Sequence, residues 1–424
     1  MKNIFLAIAA TAICAPVFAQ SHADVDAAVN KFQNFYNHQQ SDSIYAMLSD
    51  RSKALMPLDK TRQTFTQLTS QLGQVQSYQF KKEEHGASYY KMVFAKATLS
   101  LIVSLDKQNR LESFRFNPYS EDTSSLLKEK SNVVLQTKSG NIYGTLMMPQ
   151  TGGKVPVVLL IAGSGPTDRS GNSEAGGLNT NTYKQIADSL YLAGIATLRY
   201  DKRGVGESVE ATKSEDSTSF EDMVNDAASY IKLLKGDTRF SKIIVAGHSE
   251  GSLVGMLAAR KEPVAGFISI AGIAQRADKI IEKQLRVQSA ELATEAKIIF
   301  DSLNKGLMVK KVNPALLSLF RPSVQPYMIS WLNYEPRQEI KKLTIPVLIL
   351  QGTTDMQVEV NEADELKKAR PGAKLKIIEG MNHPLKQSPA DRAKNMATYK
   401  DPQLPLSPEL IPAMVKFIEN PYKA

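Results

Sequence analysis

Residues 243–251 read Ile243-Ile244-Val245-Ala246-Gly247-His248-Ser249-Glu250-Gly251. Four apolar residues lead into a G-x-S-x-G pentapeptide, and helix formers run on from Leu253 to Arg260. Strand, G-x-S-x-G and helix, in that order, predict a sharp turn that holds a serine at its tip, a nucleophile elbow. The backbone of such a serine is strained. Side chains two positions to either side would run into the neighbouring strand and helix, so the turn demands glycine at 247 and 251. A helix starting at Ser249 aims its unpaired N–H groups and its positive dipole end at the place where an oxyanion would form. Five residues alone fit a glycine-rich turn with a chance serine equally well, and the rest of the chain has to decide.

On both sides of the elbow the pattern alternates between strand and helix. Asn132–Thr137 and Ile142–Met148 flank a turn at Lys138-Ser139-Gly140-Asn141, and Val155–Ala162 is a continuous apolar run, as in a strand buried on both faces. Helix 182–193, strand 195–199 and helix 220–234 lead to the elbow. After it come strands 264–271, 345–351 and 374–378 and a last helix near 408–419. This alternation predicts a doubly wound, mostly parallel sheet over residues 131–424. Residues 274–342 interrupt it. They are mostly helical by pattern, as in Ile280–Leu303, with Pro314, Pro322, Pro326 and Pro336 breaking the later part. An insertion between two sheet strands predicts a helical cap. Its apolar residues, Leu316 to Trp331 among them, pack the cap, with a few left to line a substrate pocket.

The N-terminal part has a different period. Val25–Tyr36 is amphipathic, with Val25, Ala28, Val29, Phe32 and Tyr36 on one face, and helical pattern recurs at 43–48 and 57–72. Four strands follow at 75–83, 88–94, 97–105 and 111–117, joined by polar turns. Helices and then a meander make a small α+β domain over 22–118, with a polar linker over 119–130. No catalytic constellation stands out in it; His38 and His85 are isolated and read as surface histidines.

At 424 residues, 42% hydrophobic and 22% charged, the chain is of ordinary globular composition, sufficient for two or three domains. Its net charge of +9 is interspersed, as in Lys81-Lys82-Glu83-Glu84. With no recognition motif beside it, this charge reads as a solvated basic surface and argues against nucleic-acid binding. Met1-Lys2-Asn3, the apolar run Ile4–Cys14 and Val17-Phe18-Ala19 form a leader cleaved after Ala19, which predicts an exported chain, periplasmic or secreted. Cleavage removes Cys14, the single cysteine, so the mature chain forms no disulfide. The leader is too short for a permanent membrane anchor, and no later stretch is long and apolar enough to be one.

An acyl-transfer serine needs a base, an acid to orient it and an oxyanion hole. His248 adjoins Ser249, so its side chain projects away from the serine and suits a structural role. His383, in Glu379-Gly380-Met381-Asn382-His383-Pro384, follows the last strand and is assigned as the base. The acid belongs between them in the chain. Asp355 stands just beyond the strand ending in Leu350-Gln351, at the same sheet edge, and is better placed than Asp364 within the next helix. The oxyanion donors are the N–H of Glu250 and, from the loop Gly163-Ser164-Gly165-Pro166, that of Ser164, with Gly165 as the alternative. The Glu250 carboxylate is left for a surface or cap contact. Tyr200-Asp201-Lys202-Arg203-Gly204-Val205-Gly206-Glu207-Ser208 lacks the ending of a phosphate loop and reads as a structural turn under the site. No motif calls for a metal or another cofactor.

Taken together, GSGP at 163–166, DKRGVGES at 201–208, GHSEG at 247–251, GTTD at 352–355 and GMNH at 380–383 resemble the ordered motifs of the α/β-hydrolases. With the small leading domain and the helical cap, the chain is similar to bacterial EstD-like carboxylesterases, relatives of the dipeptidyl- and prolyl-peptidase-type hydrolases. The leading domain resembles the cone-shaped domain of the nuclear-transport-factor-like kind. The resemblance implies hydrolysis of a small-molecule ester, with short acyl chains. A peptidase or amidase on the same scaffold is the alternative, and a non-catalytic binding protein a more distant one. The chain is too short for the propeller that peptidase relatives carry, and no blade repeat is present. The partner of the leading domain stays open.

Overall fold

The computed structural model describes residues 22–84, 86–119 and 130–422. The expected leader, residues 1–19, His85 and most of the expected linker lie outside the described residues. The chain divides into two compact units, Met1–Thr123 and Ser124–Ala424.

In the first unit four helices, α1 (His22–Asn37), α2 (Ser41–Ala46), α3 (Asp50–Leu55) and α4 (Leu58–Leu72), precede a four-stranded antiparallel meander: β1 (Val75–Glu84), β2 (Ala87–Phe94), β3 (Thr98–Leu105) and β4 (Leu111–Pro118). The apolar face read on α1 is its buried face, with Phe32 and Tyr36 inside a cluster that includes Phe65, Phe94 and Leu101. Helix α3 was not read from the sequence. It is one and a half turns with no buried residue, so no apolar period marks it, and the Ser49 side chain caps it on the Ser52 N–H.

Among the described residues the second unit holds eight strands. They are β5 (Lys130–Thr137), β6 (Gly140–Met147), β7 (Val155–Ile161), β8 (Ala196–Tyr200), β9 (Phe240–His248), β10 (Gly266–Ile270), β11 (Val347–Gly352) and β12 (Lys374–Ile378). Their order is β12-β11-β10-β9-β7-β8-β6-β5. The pairs β5–β6 and β6–β8 are antiparallel and the others parallel. The central strands are apolar without interruption because both faces are covered. In β7 and β9, Val157, Leu159, Ile243 and Val245 enter the core on one face, and Val158, Leu160, Ile244 and Ala246 the core on the other. Helices α5 (Thr182–Leu192), α6 (Phe220–Lys235), α7 (Glu250–Lys261), α13 (Val360–Ala369) and α15 (Leu410–Glu419) connect or flank the strands.

Between β10 and β11 stands the insertion, with α8 (Ala277–Gln288), α9 (Ala290–Leu303), α10 (Leu317–Phe320), α11 (Gln325–Trp331) and α12 (Pro336–Lys341). The helical stretch Ile280–Leu303 is divided between α8 and α9. Ser289 is extended at φ −159°, and its hydroxyl accepts from the Leu292 N–H to start α9. A capping serine here outcompetes the helical period on either side. Trp331 of α11 stacks on Phe220 of α6, 5.8 Å between ring centres and 5° between planes, and so fastens the insertion to the helix before the elbow strand. A short helix, α14 (Arg392–Ala397), follows β12.

Candidate active site

Strands β7 and β9 are neighbours, with Ile161 opposite Gly247, yet the chain leaves them on opposite sides, β7 toward β8 and β9 toward β10. At such a switch point the loops that follow the two strands part and leave a crevice at their carboxyl ends. Ser249 stands there, at φ 54° and ψ −122°, between β9 and α7. The two elbow glycines are required by contact. A Cβ on Gly247 would lie 2.1 Å from the Gly251 carbonyl oxygen, and one on Gly251 2.5 Å from those of Ile161 and Ala162. A bond of 2.9 Å from the Ser249 N–H to the Ile270 carbonyl ties the strained residue to β10.

His383 and Asp355 meet at the same edge. Nδ1 of His383 donates to Oδ2 of Asp355 at 2.9 Å, and both side chains are buried. This tautomer leaves the Nε2 lone pair free to accept a proton. The other oxygen of Asp355 accepts from the N–H groups of Gln357 at 2.8 Å and Val358 at 2.9 Å, and Gln351 Nε2 reaches Oδ2 at 3.2 Å. Burial pushes this carboxyl up, but the His383 ring and the two N–H groups outweigh it and hold its pKa below the usual carboxylate value. Asp364 lies within α13, and Glu359 pairs with Lys283 at 2.8 Å, so neither competes for the ring.

Ser164 lines the pocket with Ser249, and Glu250 follows the serine as the first residue of α7. Residue 163 packs directly on the serine: a Cβ there would lie 3.1 Å from Ser249 Cβ. Among the described residues neither the Ser164 N–H nor the Glu250 N–H has an acceptor. The Glu250 carboxylate makes a contact with the insertion. It is buried, accepts from Tyr327 Oη of α11 at 3.0 Å, and lies 4.0 Å from Lys202 Nζ. Burial raises its pKa, against the pull of Lys202 and Tyr327. Burial likewise lowers that of Lys202, against Glu250.

Lys202 and Tyr183 join the site without a motif that marks them. Lys202 belongs to the loop read as a structural turn, yet its Nζ donates to the Gly163 carbonyl at 2.5 Å. The signal available was its place: it follows β8, which pairs with β7, so it emerges at the same edge. Tyr183 of α5 accepts from the Gly163 N–H at 3.1 Å and meets Nδ1 of His248 at 2.9 Å. Nε2 of His248 lies 3.0 Å from the His383 carbonyl oxygen. A carbonyl only accepts, so Nε2 carries the proton, and Nδ1 accepts from the tyrosine hydroxyl. Burial, with His383 close by, pushes the His248 pKa down to about 3, and the ring is neutral. His248 is thus a structural link between the nucleophile strand and the base's loop. In the rest of the 201–208 loop, Asp201 pairs with the Arg169 guanidinium at 2.6 Å, Glu207 pairs with the same group, and Arg203 pairs with Asp226 at 2.6 Å.

The pocket at Ser249 is bounded by residues between Gly163 and Tyr183, by His383 and Pro384, and by Gln357 and Tyr399. None of its described lining comes from 274–342. The insertion's rings are engaged with one another and with Phe220 instead. Among the described residues, no group of His, Cys, Asp and Glu is arranged to hold a metal ion.

Comparison with known proteins places these features. A family described as "Serine aminopeptidase, S33" matches residues 176–318, and one described as "Protein of unknown function (DUF3887)" matches residues 29–114. The chain is 27% identical over 353 residues to esterase EstD of Thermotoga maritima, covering 81% of this chain and 83% of that protein. Among solved structures, Est1E of Butyrivibrio proteoclasticus with ferulic acid is similar at 20% identity, covering 63% of this chain and 96% of that one, with a TM-score of 0.43. An esterase of Pyrococcus furiosus is similar at 16% identity over 63% and 88%, with a TM-score of 0.44. The chain is similar to EstD-like α/β-hydrolases, which are enzymes of the carboxylesterase type.

Proposed function

We propose that this enzyme hydrolyses carboxylic esters with short acyl chains through an acyl-enzyme on Ser249. His383 Nε2 takes the hydroxyl proton as the serine oxygen attacks the ester carbonyl. The developing oxyanion is held by the N–H groups of Glu250 and Ser164. His383 then gives its proton to the leaving alcohol, and water, activated by the same nitrogen, releases the acid. Asp355 fixes the ring and stabilises the imidazolium. The observation that carries this reading is the His383–Asp355 bond of 2.9 Å, which commits Nδ1 and leaves Nε2 as a base in the pocket that Ser249 lines. The short-chain preference rests on the resemblance to EstD-like carboxylesterases. The relative from Thermotoga maritima, named an esterase, supports the reaction class.

The test uses the full chain. A fluorophosphonate should label Ser249, and Ser249→Ala should lose labelling and at least about three orders of magnitude in turnover of an activated ester while remaining folded. A panel from acetyl to lauroyl esters, with aminoacyl anilides beside them, reads the acyl preference and separates esterase from peptidase. Highest kcat/KM on the anilides would replace the ester reading. We also propose export by the leader, for which cell fractionation with N-terminal sequencing at residue 20 is the check.

A further inference from the structure

Gly163 is tied at both of its polar ends by side chains from other elements, Tyr183 buried and Lys202 part-buried. Its N–H donates to Tyr183 Oη at 3.1 Å, and its carbonyl accepts from Lys202 Nζ at 2.5 Å. This residue has to be small, because a Cβ there would lie 3.1 Å from Ser249 Cβ. A glycine leaves both flanking peptides freer to rotate than any other residue does. The carbonyl of Gly163 and the N–H of Ser164 belong to one peptide unit. That unit is trans, as are all peptide bonds among the described residues, and its carbonyl and N–H point in opposite directions. Whatever fixes the carbonyl therefore aims the N–H.

We propose that Lys202 is a positioning residue for the oxyanion site: by holding the Gly163 carbonyl it turns the Ser164 N–H toward the oxygen of the reacting ester, and beside Glu250 it braces the residue that supplies the other donor. The inference rests on the acyl-enzyme reading of Ser249. Two observations and one physical principle support it. The Lys202 side chain is 11% exposed and its one carboxylate partner is 4.0 Å away, an arrangement that is weak as a stabilising device and more economically explained by the carbonyl it touches. A cationic donor on a carbonyl polarises the whole peptide, which strengthens the N–H at its other end as a donor. The Glu250 carboxylate, 4% exposed, is also held by Tyr327, so the braced unit has a fixed wall behind it.

The experiment compares Lys202→Met, and the charge-neutral double variant Lys202→Met/Glu250→Gln, with the wild-type enzyme. The substrates are an activated ester and its thiono counterpart, whose sulfur makes poor use of an oxyanion hole. Both variants should keep KM within about twofold and lose kcat on the oxygen ester by roughly 10- to 100-fold, part of what removal of an oxyanion donor costs. The loss on the thiono ester should be several times smaller. A folded double variant with kcat within about twofold of wild type, or an equal loss on both esters, would overturn the proposal. Should neither variant fold, a crystal structure of the wild-type fluorophosphonate adduct decides. The phosphoryl oxygen should lie about 2.7–3.1 Å from the Ser164 nitrogen with Lys202 still on the Gly163 carbonyl. An oxygen bound by the Gly165 N–H instead would overturn it. Ser249→Ala runs in parallel: undiminished labelling there removes the acyl-enzyme reading and this inference together, whereas lost labelling with unimpaired Lys202 variants removes this inference alone.

Discussion

On one side of Ser249, Tyr183 and His248 join the Gly163 N–H to the His383 carbonyl through three hydrogen bonds and no formal charge. On the other side, Lys202, Glu250 and Tyr327 join the Gly163 carbonyl to the insertion through an ion pair. The neutral network is buried, the charged one part-buried, and both converge on one glycine, but they respond to perturbation differently. In the neutral network every donor has an acceptor, so it costs little desolvation and changes only when a proton is forced onto His248. In the charged network each ion is taken out of water for a partner at the edge of contact. Burial shifts both groups toward neutrality, and removal of either one strands the other. The difference teaches that geometry around a nucleophile can be held by either kind of bond, and that the two are told apart by pH and by how single and double substitutions compare.

The largest effect should come where the neutral side ends on an ion. Asp355→Asn keeps the shape but favours the wrong His383 tautomer, and kcat on an activated ester should fall by about three to four orders of magnitude with the fold retained. Steady-state kinetics beside circular dichroism check it. Next comes the charged side. Lys202→Met leaves a buried carboxylate without its cation and should lower unfolding stability by about 3 kcal/mol, whereas Lys202→Met/Glu250→Gln should recover more than half of that loss. Urea melts at pH 7 measure both. If the double variant is no more stable than the single, the pair is not coupled.

Acid sharpens the contrast further. The His248 pKa is about 3 in the folded protein against 6.5 ordinarily. Above 6.5 both folded and unfolded states hold the ring neutral. Below it the unfolded chain takes a proton that the folded protein refuses until about pH 3, so stability is lost as pH falls through this window. By pH 5 the loss should reach roughly 2 kcal/mol. Glu250 and Asp226, whose pKa values burial raises, the latter to about 6, act with the opposite sign: their folded forms bind protons first, and they favour the fold on acidification. Comparing urea midpoints of wild type and His248→Gln from pH 7 to 5 cancels those terms; the variant should show the flatter profile. The smallest effect is Tyr183→Phe. It removes an acceptor from the Gly163 N–H and a donor from His248, and should cost about 1–2 kcal/mol in urea melts and several-fold in kcat at unchanged KM.

Much of this architecture was legible in the chain. The period of two in 75–117 and of 3.6 in 25–36, the uninterrupted apolar runs at 155–162 and 243–246, and the glycines around Ser249 each follow from local rules of packing and backbone sterics. Position after a strand was enough to bring Asp355, His383, Ser164 and Glu250 to one sheet edge, because strands of a parallel sheet end on the same side. What the chain alone did not determine was which buried polar groups meet. Tyr183 and His248 are 65 residues apart, Lys202 and Gly163 are 39, and Tyr327 and Glu250 are 77. None of these pairs leaves a periodic trace, since a lysine or tyrosine is read locally as a solvated or core side chain. Only the folded sheet, by setting β8 beside β7 and seating α11 on α6, removes water from these groups and leaves each with the other as its partner. The same holds for the pocket. The apolar residues of 274–342 were recognisable as a packed cap, but that the described pocket at Ser249 is walled by 163–183 and 383–399 instead was decided by tertiary packing, because the insertion's rings found Phe220 and one another first.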